Sequence, residues 1–210
     1  MALMPEIAPG AFHYPGFLDG RAQEALAREI AEVIAQAPLF VSLMPKSGLP
    51  MSVRMTNCGP LGWMSDKDKG YRYEPRHPET SEPWPPMPQM LLDTWDALTG
   101  YPKPPEACLV NVYSDDAKMG LHQDRDEADF DAPILSLSLG ADCRFRLSGP
   151  RRADKSIAFV LAAGDALVLS GPSRRSFHGV DRILPTVHAE LPAPLAGVGA
   201  RVNLTLRRVT

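Results

Sequence analysis

His122 and Asp124 lie two positions apart in the stretch from Asn111 to Glu127, NVYSDDAKMGLHQDRDE. Side chains at this spacing share one face of an extended strand, so the imidazole and the carboxylate can be presented together. A second imidazole is available at His178, in SRRSFHGV. Two histidines and one carboxylate form the facial set that binds Fe(II) and leaves positions open for oxygen and a co-substrate. An isolated HxD pair is more often a solvated turn, so this motif requires further support.

The end of the chain offers cations for an anionic ligand. In ARVNLTLRRV the apolar residues Val202, Leu204 and Leu206 alternate with four polar ones, which are Arg201, Asn203, Thr205 and Arg207. Guanidinium groups bind carboxylates in a bidentate manner, so Arg201 and Arg207 suit a dicarboxylate. The alternation alone leaves open whether the polar face lines a pocket or meets solvent.

Taken together, these segments resemble the AlkB family of iron(II)/2-oxoglutarate-dependent nucleic-acid demethylases. The resemblance rests on NVY, LHQD, HGV and RVNLTLR in this order and at about the family's separations, and it extends upstream through MTNCGPLGW and WPPMPQ. It covers the chain from about Ser52 to Arg208.

The resemblance implies a role for each candidate site residue. Fe(II) is expected to be held by His122, Asp124 and His178. The residues expected to bind 2-oxoglutarate are Asn111, Tyr113, Arg201, Asn203 and Arg207, and which arginine takes which carboxylate stays open. Residues 39–86 are expected to contain a nucleotide-recognition lid. The residues expected to bind the substrate are Met55, Trp63, Tyr71, Asp126 and Arg152, with Trp63 stacked on the base opposite His122.

The implied reaction consumes 2-oxoglutarate and O2, releases succinate and CO2, and hydroxylates an N-methyl group that departs as formaldehyde. The expected substrates are 1-methyladenine and 3-methylcytosine in alkylated DNA, with RNA as a further candidate. The base must be flipped out or single-stranded, because its reacting edge is inaccessible within a stacked duplex. These bases are cationic, which the π-face of Trp63 and the carboxylate of Asp126 both favour.

The elements that must position these residues are short strands. After YPKPPEA the chain breaks into β-rich runs divided by turn formers: ACLVNVY, PILSLSLG, CRFRL, IAFVLA, DALVLS and RVNLTLRRV. Such a series suggests a two-sheet jelly roll. The resemblance makes it a double-stranded β-helix with its core in residues 107–210, within a single domain of residues 1–210. The expected fold class is α+β, mainly β.

Two amphipathic helices are predicted ahead of the strands, and they are expected to brace one sheet. The first follows Asp19 as its N-cap, places Leu26 and Ile30 on one apolar stripe, and ends at Pro38. The second follows EPWPPMPQ and ends at Gly100. Residues 1–18 show no period and are expected to form a packed, extended lead-in.

The net charge of −3 hides an uneven distribution. Residues 1–140 contain 11 Lys and Arg against 20 Asp and Glu, and residues 141–210 contain 11 against 5. Binding to a nucleic-acid backbone needs local positive charge, which the C-terminal part offers, although a merely solvated basic face fits the charge equally well. The candidate phosphate contacts are Arg144, Arg146, Arg151, Arg152, Lys155, Arg174 and Arg175.

The cysteines and the hydropathy pattern bound the cellular setting. Three widely spaced cysteines without CxxC argue against a disulfide frame or a zinc ribbon, and no segment approaches the ~20 apolar residues of a membrane helix. A cytoplasmic protein with no membrane partner is expected, acting as a monomer. His13, His77 and His188 lack a partner motif and are expected to lie outside the site.

Two other functions remain open. The first is a 2-oxoglutarate-dependent hydroxylase that acts on a protein or a small molecule. The second is a nucleic-acid binding module that has the fold but does not turn over. The complete set of His122, Asp124, His178, Arg201 and Arg207 argues against the second, because a pure binder does not need these five residues.

Overall fold

The computed structural model describes residues 6–184 and 190–210, in which short strands dominate and two α-helices precede most of them. The helices are Gly20–Gln36 (α1) and Gln89–Thr99 (α2). The strands are Glu6–Ala8 (β1), Ala11–Tyr14 (β2), Arg54–Cys58 (β3), Gly62–Asp66 (β4), Gly70–Glu74 (β5), Ala107–Tyr113 (β6), Met119–His122 (β7), Ile134–Gly140 (β8), Cys143–Leu147 (β9), Ile157–Leu161 (β10), Ala166–Leu169 (β11), His178–Ile183 (β12) and Arg201–Arg207 (β13). Short 3-10 helices lie at Gly171–Ser173 and Ala193–Leu195.

The strands form a large sheet, a small sheet and a separate hairpin. The large sheet has the order β1-β2-β11-β8-β13-β6-β3, and the small sheet has the order β10-β9-β12-β7. Strands β4 and β5 pair only with each other, and we call them the rim hairpin. All these pairings are antiparallel, as in a jelly roll.

Two apolar layers lie on opposite faces of the large sheet. On one face, Leu26 and Ile30 of α1 and Trp95 of α2 belong to the same buried cluster as Leu137 and Leu204. On the other face, side chains of the large sheet pack against the small sheet, in a cluster that includes Tyr113, Leu167, Phe145 and Val180. The predicted arrangement, a β jelly roll braced by helices, is confirmed.

Strand β13 is an interior strand of the large sheet, hydrogen-bonded to β6 on one side and β8 on the other. Val202, Leu204 and Leu206 enter the helix-side cluster. Arg201 and Arg207 on the opposite face are also buried. Both faces of β13 are therefore buried. Its apolar residues pack in the core on the helix side, and its polar residues point to the interior between the two sheets.

The helix boundaries follow from the residues that cap them. The side chain of Asp19 accepts a hydrogen bond from the backbone N–H of Ala22 at 2.8 Å, as an N-cap residue does. Helix α1 ends before Pro38, as predicted. Helix α2 ends at Gly100, whose φ of 58° lies in the left-handed region that favours glycine.

Several short elements differ from the sequence prediction. The lead-in is not simply extended, because β1 and β2 form a hairpin that adds to the large sheet through β11. The strand predicted to carry His122 is β7, but it ends at His122, whereas the rim hairpin and β12 were not predicted, since such short strands carry little periodic signal. Strand β3, within residues 39–86, belongs to the large sheet.

The remaining histidines and the cysteines have structural surroundings. His13 Nε2 lies 2.8 Å from Asp165 Oδ2, and His77 Nε2 lies 2.7 Å from the backbone oxygen of Pro38, so both have partners that the sequence did not reveal. His188 lies outside the described residues. The cysteines are free and buried, as expected, and neither α1 nor α2 is long and apolar enough to cross a membrane.

Asp165 fastens the lead-in to the sheet and provides a test of this packing. It accepts hydrogen bonds from His13 and from the backbone N–H groups of Gly16 and Ala162. Burial disfavours its charged form, but these hydrogen bonds outweigh burial and lower the pKa of its carboxyl group. Asp165→Asn is expected to lower the free energy of unfolding by ~1.5–3 kcal/mol at neutral pH.

The pH dependence of that loss is fixed by the direction of the shift. A carboxyl group with a depressed folded pKa stabilises the protein at neutral pH, and this stabilisation is lost as the pH falls through the folded pKa. The deficit of Asp165→Asn, measured by urea unfolding, should therefore shrink toward acidic pH. Asp93→Asn, on the exposed face of α2, is the control. A loss of unfolding free energy in Asp165→Asn that stays constant from neutral to acidic pH would contradict the stabilising role of the Asp165 carboxylate.

Candidate metal centre and its cavity

A cavity of about 630 Å³ lies between the large and small sheets, a volume typical of small-molecule sites. Its rim includes residues of the rim hairpin and of the preceding loop. The predicted site residues that line it are Met55, Trp63, Tyr71, Asn111, Tyr113, His122, Asp124, Asp126, His178, Arg201, Asn203 and Arg207. Arg152 is exposed and not part of the lining, and its guanidinium lies 5.8 Å from the centre of the Phe177 ring.

Three potential metal ligands converge in this cavity. His122 ends β7, His178 begins β12, and the two are paired residues of neighbouring strands. Asp124 lies 3.6 Å from the Nε2 atom of each histidine, and all three ligand atoms lie within 4.8 Å of one another. The predicted convergence is confirmed, but its predicted cause is wrong. Strand β7 ends at His122, so Asp124 follows from an irregular segment and not from the same strand face.

The backbone sets the tautomer of each histidine. His122 Nδ1 lies 2.9 Å from the oxygen of Gly120, and His178 Nδ1 lies 3.0 Å from the oxygen of Ser176. A carbonyl oxygen only accepts, so the proton belongs on Nδ1 and the Nε2 lone pair is left for a metal ion. This is the usual way in which an outer hydrogen bond orients a ligating histidine.

The protonation states also suit a metal. Burial lowers the pKa of His178 to about 4, so its imidazole is neutral at pH 7. Burial opposes ionisation of Asp124, but Arg207 and then the two histidines outweigh it and lower the pKa of this carboxyl to about 2. Two imidazoles and one carboxylate are the donor set of a non-haem Fe(II) site.

Unpartnered buried atoms show which ligands the cavity fits. Within the described residues, four of the five buried side-chain atoms without a hydrogen-bond partner belong to cavity residues: Asn111 Oδ1, Asp124 Oδ2, Arg201 Nε and Arg207 Nε. Buried polar groups are normally satisfied, so these four indicate missing partners. A cation satisfies the Asp124 oxygen and an anion satisfies the arginine nitrogens, which fits Fe(II) together with a dicarboxylate.

Both arginines of β13 are held before any ligand arrives. Arg201 donates from one terminal nitrogen to the oxygen of Ala141 at 2.9 Å and from the other to Ser138 Oγ at 2.6 Å. Arg207 lies 2.9 Å from Asp124 and 3.0 Å from Glu127. The polar face of the last strand is therefore an interior face.

Sequence reasoning missed Glu127 and misplaced Arg174. Arg174 was predicted as a candidate phosphate contact, but it is buried and donates hydrogen bonds to Glu127 Oε2 at 3.2 Å and to the backbone oxygen of Asp124 at 3.2 Å. An arginine in the run SRRS looks solvent-exposed in the sequence, and no local signal distinguishes it from Arg175. Of the other basic candidates, Arg146 pairs with Asp181 at 2.7 Å.

The rim of the cavity is aromatic and acidic. The rings of Trp63 and Tyr71 stack with centroids 5.5 Å apart and planes 22° apart. Trp63 Nε1 donates to Asp126 Oδ2 at 2.8 Å. Tyr73 donates from its hydroxyl to Glu127 Oε1 at 2.5 Å, which makes it an anchor for the rim hairpin.

Comparisons with known proteins agree with this geometry. The sequence profile of the 2OG-Fe(II) oxygenase superfamily matches residues 10–207. An alpha-ketoglutarate-dependent dioxygenase AlkB homolog of Caulobacter vibrioides is 51% identical over 202 residues, which are 96% of this chain and 89% of the relative. The chain belongs to the AlkB family. AlkB of Escherichia coli K12 is 42% identical over 191 residues, 89% of this chain and 85% of that protein.

A solved structure supports the AlkB fold independently. The structure of OsALKBH1 superimposes with a TM-score of 0.76 at 26% identity, covering 96% of this chain and 99% of the other. The predicted family, fold and enzyme class are therefore confirmed, together with Fe(II), 2-oxoglutarate and O2 as the cofactor and co-substrates of an AlkB oxidative demethylase that acts on alkylated nucleic acid.

Removal of single ligands should separate metal binding from folding. His122 is partly exposed, with 36% of its side chain accessible, so His122→Ala is expected to abolish Fe(II) binding and turnover while leaving thermal stability nearly unchanged. Asp124→Ala should also abolish both, but it removes one of two carboxylates from Arg207 and should cost ~2–3 kcal/mol of stability. Metal titration and thermal unfolding of the apo proteins measure the two effects. Retained Fe(II)-dependent succinate production in either variant would refute the triad.

Proposed function

We propose that the enzyme repairs 1-methyladenine and 3-methylcytosine in DNA by oxidative demethylation and accepts RNA as a second substrate. The observation that carries the proposal is one cavity that combines the iron ligands, the arginines of β13 and an aromatic, acidic rim. Bound Fe(II) with 2-oxoglutarate and O2 supplies the oxidative chemistry, and the methyl group leaves as formaldehyde.

The proposed 2-oxoglutarate site is formed by Asn111, Tyr113, Arg201, Asn203 and Arg207. Burial raises the pKa of Tyr113, so its hydroxyl stays protonated and can donate. Asn203 is fixed by hydrogen bonds from its amide nitrogen to Ser136 Oγ at 2.6 Å and to the oxygen of Leu137 at 3.1 Å. Arg201, Asn203 and Arg207 are held by the protein before binding, which reduces the entropy cost of holding a flexible dicarboxylate.

The proposed base site is the rim. Trp63 stacks on Tyr71, and Asp126 adds a negative charge next to the Trp63 indole. This combination favours a cationic methylated base over a neutral undamaged one. The base enters flipped out or from a single strand, with Met55 beneath Trp63 in the same cluster and Arg152 available to the phosphate backbone outside the cavity.

The division of the chain follows from these roles. We take residues 1–210 as a single domain in which residues 39–86 contain the nucleotide-recognition lid and residues 107–210 form the jelly-roll core. The rim hairpin, which pairs with neither the large sheet nor the small sheet, supports the lid assignment. We further propose a monomer that works in the cytoplasm, where its three free thiols stay reduced.

The deciding experiment is anaerobic reconstitution with Fe(II), followed by addition of 2-oxoglutarate, O2 and a 1-methyladenine oligonucleotide. Formaldehyde and unmodified adenine should appear in equal amounts, and neither should form without 2-oxoglutarate. Intact binding of iron and 2-oxoglutarate without demethylation would favour hydroxylation of a protein or small molecule. Comparison of kcat/KM on DNA and RNA oligonucleotides of matched sequence shows which nucleic acid is the better substrate.

Substitution of an arginine by lysine tests the co-substrate site while retaining charge. Arg201→Lys is expected to raise the KM for 2-oxoglutarate by about ten-fold or more, because lysine cannot hold Ala141 and Ser138 and still present a planar fork. Arg208→Lys is the control, since Arg208 is the next charged residue of this segment but pairs with Glu106 outside the cavity. Equal effects of the two substitutions would refute the assignment.

Replacement of Asp126 tests recognition of damage. Asp126→Asn retains an acceptor for the Trp63 indole but removes the charge, so kcat/KM should fall about ten-fold on cationic 1-methyladenine and much less on neutral 1-methylguanine. Trp63→Phe is the comparison, since it keeps a ring and loses the hydrogen bond to Asp126. Both substrates are measured at one salt concentration. An equal loss on both bases would mean that Asp126 only orients Trp63.

A further inference from the structure

A buried cluster of charged side chains adjoins the metal ligand Asp124. The side chain of Glu127 has no exposed surface, and it accepts hydrogen bonds from Arg207 at 3.0 Å and from Arg174 at 3.2 Å. Arg174 is 2% exposed and also donates to the backbone oxygens of Ala132 and Asp124. Two carboxylates and two guanidinium groups thus balance each other away from solvent, as buried charges require.

Glu127 completes the fixation of Arg207. One terminal nitrogen of Arg207 pairs with Asp124 and the other pairs with Glu127, while Nε has no partner. Two carboxylates on separate nitrogens fix the plane of the guanidinium, which neither achieves alone. An arginine oriented in advance loses less conformational freedom when it binds an anion.

The same carboxylate also reaches the rim hairpin. Tyr73 on β5 donates its hydroxyl proton to Glu127 Oε1 at 2.5 Å, and that hydroxyl accepts a hydrogen bond from Arg207 at 3.1 Å. Trp63 and Tyr71, which form the aromatic rim, belong to this hairpin. Displacement of the hairpin would therefore act directly on the hydrogen bonds of Arg207.

We propose that Glu127 is a positioning residue that holds Arg207 ready for 2-oxoglutarate and, through Tyr73, couples the rim hairpin to that arginine. The inference rests on the proposed role of Arg207 as a co-substrate anchor. Glu127 itself lies outside the cavity lining and acts through Arg207. Occupancy of the rim by a base and binding of 2-oxoglutarate then influence each other reciprocally.

The first test measures binding of 2-oxoglutarate to the Mn(II)-loaded protein by anaerobic calorimetry, without nucleic acid. Glu127→Gln is expected to weaken binding about ten-fold or more and Tyr73→Phe about three-fold, whereas Glu106→Gln should change it less than about two-fold. Glu106 is the matched control because it pairs with Arg208, the neighbour of Arg207, outside the cavity. Mn(II) affinity without 2-oxoglutarate should be the same in the wild type and in the three variants.

Two results would overturn the positioning role. The first is unchanged 2-oxoglutarate affinity in Glu127→Gln, and the second is an equal loss of Mn(II) and 2-oxoglutarate affinity, which marks a general structural defect. If Glu127→Gln does not fold, Tyr73→Phe decides, because it removes only a hydroxyl group and leaves every charge in place. Unchanged affinity in that variant would then refute the proposal.

The second test adds a methylated oligonucleotide to the same titration. In the wild type the oligonucleotide should change the 2-oxoglutarate affinity about three-fold or more, and in Tyr73→Phe this change should largely disappear. An equal change in both proteins would refute the coupling. The first titration needs no lesion, so failure to demethylate 1-methyladenine would refute the proposed substrate and leave the role of Glu127 intact.

Discussion

The buried contact between Asp124 and Arg207, at 2.9 Å, is the interaction on which the rest of the site depends. Neither charge is tolerable in this interior alone, since removal of an ion from water costs several kcal/mol. The pair keeps the metal ligand Asp124 ionised and the Arg207 guanidinium fixed at the same time. Glu127 and Arg174 extend the arrangement so that the charges balance without help from solvent.

The position of β13 explains how the fold supports such a cluster. As an interior strand of the large sheet, it is hydrogen-bonded along both edges and packed on both faces. Its apolar residues are locked into the core beneath α1 and α2, so the arginines on the other face have a rigid base. Sites built on central strands hold their geometry better than sites built on loops.

The iron ligands and the aromatic residues of the rim belong to different parts of the structure. His122 and His178 are fixed by strand pairing and by backbone carbonyls. Trp63 and Tyr71 belong to a hairpin outside both larger sheets, which contacts the interior through Tyr73 and Asp126. The Tyr73 hydroxyl, through its hydrogen bonds with Glu127 and Arg207, links this hairpin to the cluster beside Asp124.

The sequence by itself determined the family and the iron ligands, because the order and separations of LHQD, HGV and RVNLTLR identify the family, and it determined the alternation of β13, which is a local pattern that persists in the fold. It also determined both helices, whose caps at Asp19 and Gly100 are local. Only the tertiary structure decided that the polar face of β13 is interior, since period-two alternation is the same whether a face meets water or another sheet.

Tertiary structure likewise decided which charged residues are buried. Arg174 and Arg175 are adjacent and chemically identical, yet one is buried against Glu127 and the other is exposed. Glu127 carried no motif, because its partners Tyr73, Arg174 and Arg207 are distant in sequence and meet only when the sheets and the rim hairpin assemble. Burial is a property of the assembled chain, and for a charged residue it depends on partners that no local pattern encodes.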